Sequence, residues 1–376
     1  MATPFKNFFN VPLIEQMGGH FKRIDPTFDA VQFTALATHE LEKLELRERS
    51  IQICEALVQT LPDDFDAAST VLLSALHPED QLELSGQSTD ETGIAGWPIM
   101  PMADAIAHLG KDHPEQALAA LGQMTCRFSS EFAIRHFFKS HQELTLNQCR
   151  KWAQHENFHI RRLASEGSRP LLPWGIRLHS FVDDPSPLIP LLEDLRDDPS
   201  EYVRRSVANN LNDIAKNQPD LVADIAHNWM KDASRERTKL VRHACRSLIK
   251  QGHQPTLKAL GFGAPEVNLT RHEILTPTVK VGETLDFEIE LTSTAKGPQN
   301  LIVDFLIHHV KANGTTSPKV FKWKEIRLPA GQSQSLVKSH SMKPVTTRVY
   351  YPGTHFWEVQ VNGQSLAKEP FELISK

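Results

Sequence analysis

The stretch HIRRLASEGSRPLLPW, His159 to Trp174, decides how the longest part of this chain is interpreted. Its apolar residues recur at the spacing of a helix, and Gly167 and Pro170 stop that helix just after Glu166. The sequence therefore predicts a carboxylate at the end of a basic helix, an arrangement that suggests an enzyme acting on nucleic acid. A solvated helix with an incidental glutamate is the plainer interpretation of the same residues.

The pattern of an apolar residue followed by basic residues returns along the chain. It recurs in YVRRSVANNLNDIAK and LVRHACRSLIK, where Val203 and Val241 follow Ile160 at successive offsets of 43 and 38 residues. An earlier segment, EFAIRHFFK, places Ile134 26 residues before Ile160. Such periods are typical of HEAT-like helix pairs, which stack into a solenoid. Arginines repeated on one face of a solenoid would suit the phosphate backbone of a duplex.

Charge is unevenly distributed over the 376 residues, although the net charge is only −5. Residues 1–120 carry 7 Lys and Arg against 19 Asp and Glu, whereas residues 121–250 carry 20 against 16. Because nucleic-acid binding depends on the local surface and not on the total, the basic middle of the chain favours DNA as a partner.

Composition favours a globular protein of the cytoplasm. No apolar run approaches the length of a membrane span, and the N-terminus lacks the layout of a signal peptide. The four cysteines show no CxxC spacing, so neither a zinc site nor a disulfide framework is expected from them. His155 and His159 lie four residues apart, but no third ligand stands at a spacing typical of a metal site, so no metal site is expected.

Helices are expected from the N-terminus to about Gly252, with one of them beginning near Met102 after Pro98 and Pro101. Trp97, just before these prolines, is expected to pack in the core.

Beyond Gly252 the hydrophobic period becomes two. The segment LDFEIEL alternates apolar and acidic residues, which predicts a half-buried strand, and His308 and His309 are also expected in a strand. Asn313-Gly314 and Asn362-Gly363 are hairpin turn signals. Short strands with frequent turns predict a β-sandwich of immunoglobulin type, here without the usual disulfide because no cysteine follows Cys245.

The predicted fold is therefore an all-α HEAT-like solenoid, residues 1–262, followed by an all-β immunoglobulin-like sandwich, residues 266–376. Within the sandwich, the run SPKVFKWKEIR carries lysines, an arginine and two aromatic residues. It could grip a duplex, and an ordinary amphipathic strand explains it equally well.

Three segments resemble a known family: ELEKLELRERS (Glu40–Ser50), SSEFAIRHFF (Ser129–Phe138) and above all RRLASEGSRPLLPW (Arg161–Trp174). They are similar to the AlkC branch of the bacterial DNA alkylation repair glycosylases, relatives of AlkD that are built on HEAT-like repeats. The resemblance covers residues 1–262, and some members carry an added immunoglobulin-like domain. Leu171 departs from the family pattern, in which a basic residue is expected.

The resemblance implies hydrolysis of the N-glycosidic bond of cationic alkylated bases in duplex DNA, chiefly 3-methyladenine, with 3-methylcytosine a further candidate. It also implies cleavage without base flipping, as the first step of base excision repair. Because the alkylated base already carries positive charge, the enzyme needs chiefly to stabilise an oxocarbenium-like sugar and to place a water at C1′. No cofactor is expected.

Glu166 is expected to hold the water and face the developing cation, with Glu131 as a second carboxylate and Asp213 orienting the water or the backbone. A solvated helix-end glutamate is an alternative for Glu131. Trp174 is expected to offer an aromatic face to the cationic sugar or lesion, and Arg169 to hold a phosphate. A structural account instead makes Trp174 a core anchor and Arg169 a helix C-terminal cation.

The remaining basic residues are assigned to the DNA backbone, with one member of each adjacent pair pointing elsewhere; they are Arg161, Arg162, Arg204, Arg205, Arg242 and Arg246. The expected protein is a monomer that binds DNA and neither membrane nor metal, in the bacterial cytoplasm at the nucleoid. A non-catalytic HEAT-repeat scaffold, binding DNA or a protein, is the alternative function.

Overall fold

The computed structural model describes residues 4–346 and 348–375. The protein is a helical repeat region followed by a β-rich region, as the two hydrophobic periods predict. The α-helices are α1 (Val11–Ile24), α2 (Ala30–Thr38), α3 (Leu46–Thr60), α4 (Phe65–Ser74), α5 (Ile99–Leu109), α6 (Pro114–Met124), α7 (Ile134–Ser140), α8 (Gln142–Trp152), α9 (Phe158–Gly167), α10 (His179–Asp183), α11 (Ile189–Leu195), α12 (Glu201–Ile214), α13 (Pro219–Trp229), α14 (Arg235–Ala244), α15 (Arg246–Gln251) and α16 (Gln254–Ala259). The strands are β1 (Val267–Ile274), β2 (Thr278–Lys280), β3 (Thr284–Ser293), β4 (Gln299–Val310), β5 (Thr316–Leu328), β6 (Ser333–Ser341), β7 (Gly353–Val361) and β8 (Gln364–Ile374).

The chain divides into two compact units between Asn217 and Gln218. The first unit contains α1 to α12, and the second contains α13 to α16 together with the strands. The predicted domains, residues 1–262 and 266–376, instead follow the change from helix to strand, and their bounds stay a prediction.

The apolar residues that define the repeat are buried on helices, as predicted. Ile134 lies on α7, Ile160 on α9, Val203 on α12 and Val241 on α14, and each is at most 7% exposed. Helix α9 packs against α12 within the first unit. This contact brings together residues that lie about 40 positions apart in the sequence, which is the spacing of one helix-pair repeat.

Two predicted helix bounds are wrong. Helix α5 begins at Ile99 and not near Met102, because a proline is tolerated in the first turn, where no intrahelical partner for its missing N–H exists. The helices also continue beyond Gly252, which has a φ of +70° and only separates α15 from α16. Among the described residues, no helix is long and apolar enough to cross a bilayer.

The strands of the second unit form two sheets. One has the order β1-β3-β6 and is antiparallel; the other has the order β2-β8-β7-β4-β5, in which only β2 and β8 run parallel. Inward-facing residues from both sheets, among them Phe287, Phe305 and Trp357, share one hydrophobic core. The alternation predicted for LDFEIEL is confirmed in β3, and His308 and His309 lie in β4 as predicted.

The predicted turn Asn362-Gly363 joins β7 to β8, with φ angles of +46° and +75° that suit these residue types. Gly363 also lies against Gly252: an added Cβ at Gly363 would stand 2.4 Å from the Gly252 Cα. Glycine is therefore required at Gly363 both for the turn and for this backbone contact within the second unit.

Candidate active site

The site is built on the last turn of α9. The Asn157 side chain accepts a hydrogen bond from the His159 N–H at 2.8 Å and so fixes the start of the helix. At its end, an added Cβ on Gly167 would stand 2.6 Å from Ile134 Cγ2, so only glycine lets α7 approach here. The helix thus ends where the sequence predicts, with Glu166 in its final turn and 5% exposed.

Two arginines hold the Glu166 carboxylate. Arg169 donates a hydrogen bond of 2.6 Å to Glu166 Oε1, and Arg162 lies 3.5 Å from the same oxygen. Burial by itself raises the pKa of Glu166, but the charges of Arg162 and Arg169, together with hydrogen bonds from Ser206 and Arg169, outweigh it and hold the pKa below its ordinary value. Glu166 is therefore an ionised carboxylate at neutral pH, although it is nearly removed from solvent.

Arg162 also joins Glu166 to the second predicted carboxylate. Its Nη1 donates to Glu131 Oε2 and, at 2.7 Å, to the Ser129 hydroxyl. Burial lowers the pKa of Arg162, while Glu131 and Glu166 more than compensate, so the pKa lies above its ordinary value. The guanidinium also lies 5.0 Å from the centre of the Tyr202 ring. Arg162 is thus paired within the site, and its assignment to the DNA backbone stays a prediction that this pairing does not favour.

Asp213 reaches the site only through Arg169. Its Oδ2 accepts a bond of 2.9 Å from Arg169 Nε, its Oδ1 pairs with Lys216 at 3.1 Å, and it is 2% exposed. With each oxygen paired, Asp213 orients Arg169, and its expected role in orienting the water or the backbone stays a prediction. Arg169 in turn bridges Asp213 and Glu166, so its predicted phosphate contact stays a prediction that this pairing does not favour.

A cleft of about 380 Å³ brings the remaining site residues together. The predicted residues Glu131, Glu166, Arg169 and Trp174 line it with Arg162, and the rest of the lining is largely apolar: Trp97, Met100, Phe128, Ser129, Phe132, Leu172 and Pro173.

Trp174 stands in this cleft with 76% of its surface exposed. Its φ of +64° is in the left-handed region, which a bulky residue rarely adopts. The alternative that made Trp174 a core anchor is therefore wrong. Trp97, expected in the core, stacks on Phe8 at 4.9 Å between ring centres and also lines the cleft.

The other arginines of the first unit have different surroundings. Arg161 binds both oxygens of the buried Asp198, at 2.6 and 3.0 Å, and Arg204 donates to the Asp198 and Pro199 carbonyls. Arg205 is exposed. The assignment of Arg161 and Arg204 to phosphates is therefore not supported by their contacts, whereas that of Arg205 stays a prediction.

Arg242 and Arg246 lie in the second unit. Arg242 pairs with Glu325 of β5, and Arg246 donates to the His243 carbonyl at 2.7 Å. Glu325 is thus the ion-pair partner of Arg242, a residue that was predicted to contact DNA. Glu325 itself belongs to the SPKVFKWKEIR run, for which a duplex contact was considered.

Among the described residues, no three His, Cys, Asp or Glu side chains are grouped as a metal site. His159 is buried, with its Nε2 2.9 Å from the Leu82 carbonyl. The four cysteines are free thiols.

Sequence reasoning missed Arg135, which is fully buried beside the site and binds backbone carbonyls of residues 167–176. It also missed the apolar wall that Phe128 and Phe132 contribute to the cleft. Arg135 follows the buried residue Ile134 directly, so the helical period placed it near the core, but nothing in the pattern distinguished it from a solvated cation.

Family models match both parts of the chain. Residues 112–248 match the model described as "DNA alkylation repair enzyme", and residues 268–375 match that of the YhaZ C-terminal Ig-like domain. The protein YhaZ of Bacillus subtilis is 34% identical over 362 residues, which are 96% of each chain. The AlkC structure of Pseudomonas fluorescens is 36% identical, covers 99% of this chain and 100% of its own, and superposes with a TM-score of 0.87.

This chain belongs to the AlkC family of DNA alkylation repair enzymes. The resemblance found in the sequence is thereby confirmed over both parts of the chain, including the Ig-like region. The Pseudomonas AlkC is described as an alkylpurine DNA glycosylase bound to DNA that contains an abasic site analogue. Within the AlkC family, the cleft lined by Glu131, Glu166 and Trp174 is the candidate active site of this chain.

Proposed function

We propose that this protein is a DNA glycosylase that hydrolyses the N-glycosidic bond of cationic alkylated bases in duplex DNA. The observation that carries the proposal is Glu166, a buried carboxylate that stays ionised and lines the same cleft as the exposed indole of Trp174. A fixed negative charge beside an aromatic face suits a reacting centre that becomes cationic. Membership of the AlkC family supports the same reaction.

The chemistry requires little acid catalysis. When the C1′–N bond breaks, its electron pair goes to the base, which leaves neutral because alkylation had made it cationic. The sugar is left with oxocarbenium character, and the negative charge of Glu166 stabilises it. Water then adds to C1′, gives up a proton, and an abasic site remains.

The contacts of Glu166 favour one of its oxygens for this role. Arg162 and Arg169 both approach Oε1. The Ser206 side chain also hydrogen-bonds the carboxyl. We assign the hydrogen bond from the attacking water to Oε2, the oxygen that neither arginine approaches, while the arginines keep the carboxylate ionised. Glu131 shares Arg162 with Glu166, and it adds a second carboxylate at the wall of the cleft.

Trp174 supplies the opposing contact. Its ring is exposed and held by an unusual backbone conformation, so it is available to the cationic sugar or lesion without rearrangement of the core. Such a cation–π contact contributes about 1 to 2 kcal/mol once water is excluded.

We expect 3-methyladenine to be the chief lesion, with 3-methylcytosine a further substrate, and excision without base flipping. Selectivity would come from the lability of the cationic lesion, so uracil and hypoxanthine in DNA should remain. The helical repeats would form a HEAT-like solenoid along the duplex, and the two sheets an immunoglobulin-like sandwich. The protein would act as a monomer and start base excision repair.

The test is release of 3-methyladenine from methylated duplex DNA by the wild type and by Glu166→Gln, with DNA affinity measured in parallel. We expect the variant to bind as the wild type does and to lose at least about a hundredfold in rate, the scale of one electrostatic contact made in the transition state. Glu156→Gln, at an exposed position ahead of the same helix, is the control and should change neither quantity.

A wild type that binds DNA and releases no base would instead indicate a non-catalytic scaffold. Full activity of Glu166→Gln in an active wild type would remove Glu166 from the mechanism and leave Glu131 as the candidate carboxylate.

A further inference from the structure

Arg135, in the first turn of α7, is 0% exposed, and its guanidinium binds backbone carbonyls. Nε donates to the Ile176 carbonyl at 2.5 Å, and Nη1 donates to the carbonyls of Gly167 and Arg169 at 2.9 and 2.7 Å. Nη2 lies 3.5 Å from the Pro170 carbonyl. A buried charge is costly unless it is satisfied, so this set of contacts calls for an explanation.

These carbonyls belong to the end of α9 and to the turn that follows it. The last carbonyls of a helix have no partner within the helix and carry partial negative charge, which a cation satisfies. Burial, and next the charge of Arg169, lower the pKa of Arg135 to about 10, so it remains charged at neutral pH. Only a planar guanidinium has enough donors in fixed directions to bind all these carbonyls at once.

The turn also closes tightly around Arg135. A Cβ added to Gly175 would stand 3.1 Å from Arg135 Nε and 3.1 Å from Leu172 Cδ2. In the sequence, Trp174 lies between Leu172 and Gly175, and its φ is +64°. Because the ring itself is mostly exposed, its position is set by the backbone on either side and not by packing of the indole.

We propose that Arg135 is a positioning residue that fixes the indole of Trp174 relative to the carboxylate of Glu166. A single side chain binds the helix end that carries Glu166 and the turn that presents Trp174. This inference rests on the proposed glycosylase function for its effect on rate, whereas the placement of Trp174 can be tested without DNA.

The variant to make is Arg135→Lys, which keeps the positive charge and removes the planar set of guanidinium N–H donors. Arg49→Lys is a matched control, because Arg49 is 2% exposed and also binds carbonyls, those of Lys6, Phe9 and Leu44, none of which lines the cleft. Both variants are labelled with 5-fluorotryptophan, whose fluorine resonances report each of the six tryptophans; Trp174→Phe assigns that of Trp174. Thermal unfolding and single-turnover base release are measured on the same samples.

We expect both lysine variants to unfold at lower temperature. Only Arg135→Lys should shift or broaden the Trp174 resonance, and only it should slow base release, by up to about a hundredfold, the cost of a misplaced catalytic group. An unchanged Trp174 resonance and a rate equal to that of Arg49→Lys would overturn the proposal. Arg135 would then stabilise the fold without positioning Trp174.

If Arg135→Lys does not fold, Gly175→Ala takes its place, because the added methyl crowds Nε and leaves the guanidinium present. It should displace the Trp174 resonance and slow the reaction to a smaller degree, and an unchanged resonance and rate would again overturn the proposal. A wild type without activity would defeat the proposed function, while the resonance of Trp174 in the variants would still decide whether Arg135 positions it.

Discussion

Arg169 donates a hydrogen bond of 2.6 Å to Oε1 of Glu166, one turn back along the chain, and the pair is almost completely buried. The contact opposes the effect of burial on the carboxylate, whose pKa is held below its ordinary value by the charges of Arg162 and Arg169 together with hydrogen bonds from Ser206 and Arg169. The ionised state of Glu166 therefore depends on its arginines.

Replacing Arg169 by glutamine should raise the pKa of Glu166. A carboxyl group whose pKa is lowered in the folded state is ionised down to that lower pKa, so wild-type base release should stay level as the pH falls to about 5. Without Arg169, burial is opposed only by the charge of Arg162 and the hydrogen bond from Ser206, so we expect the pKa of Glu166 to rise. The acid limb of the single-turnover rate should then move upward by at least about one pH unit.

The exposed Arg205 provides the control, since Arg205→Gln should leave the pH profile unchanged. Coincident acid limbs for the wild type and Arg169→Gln would show that Arg169 does not set the protonation of Glu166.

Trp174 should be dispensable for folding and needed for catalysis. A left-handed φ costs a non-glycine residue about 1 to 2 kcal/mol, and glycine relieves that cost while it adds about 0.5 to 1 kcal/mol of backbone entropy to be lost on folding. Trp174→Gly should therefore unfold at or slightly above the wild-type temperature. Its rate of base release should fall about tenfold or more, because the aromatic contact is lost.

Glu40→Gly is the matched control. Glu40 also has a positive φ, of +48°, in the first unit, but it does not line the cleft. Its exposed ion pair with Lys43 contributes little to stability. The control should keep the wild-type rate, and an equal loss of rate in both variants would mean that the indole itself has no role.

The two members of the pair Arg204 and Arg205 should differ in their effect on DNA binding. Each phosphate contact lowers the slope of log affinity against log salt by about 0.9. Arg205 is exposed, whereas Arg204 donates to the Asp198 and Pro199 carbonyls. Arg205→Gln should therefore make the slope of log affinity against log salt shallower by about 0.9, the value of one phosphate contact. Arg204→Gln should leave the slope unchanged. A reduction by Arg204→Gln alone would reverse the assignment.

Local sequence signals predicted much of the fold and the centre of the site. Gly167 and the prolines after it define the end of α9, and so the placement of Glu166, through backbone geometry alone. The turn Asn362-Gly363 and the alternation in β3 are equally local. Each depends on residues within one turn or one hairpin, which is the range over which propensity decides structure.

The pairing of the arginines could not be predicted in the same way. The helical period tells which face a residue occupies, but Arg161 is bound by Asp198 and Arg169 by Asp213, 37 and 44 positions away. A row of arginines that suggested phosphate binding is thus largely used inside the protein. Arg135 shows the same limit, since its partners are carbonyls, which every residue possesses and no sequence pattern marks.

In the second unit, Asp304 should be a source of instability at neutral pH. It lies in β4 at a bulge opposite β5, is 7% exposed, and its Oδ1 has no hydrogen-bond partner among the described residues. Burial raises its pKa to about 6 from an ordinary value of 3.8. A carboxyl with a raised pKa in the folded state contributes stability below its unfolded pKa, and that contribution disappears as the pH rises through 6.

Asp304→Asn should therefore be more stable than the wild type at pH values above about 7, by at most about 3 kcal/mol at roughly 1.4 kcal/mol per unit of pKa. The advantage should largely disappear near pH 4, where the folded-state carboxyl of Asp304 is protonated and the unfolded-state carboxyl, with its ordinary pKa of 3.8, is about half protonated. Denaturant unfolding at the two pH values measures it, with Asp224→Asn, an exposed position on α13, as the control. If the wild type and Asp304→Asn had equal stability at both pH values, the side chain would be hydrated and its burial would carry no cost.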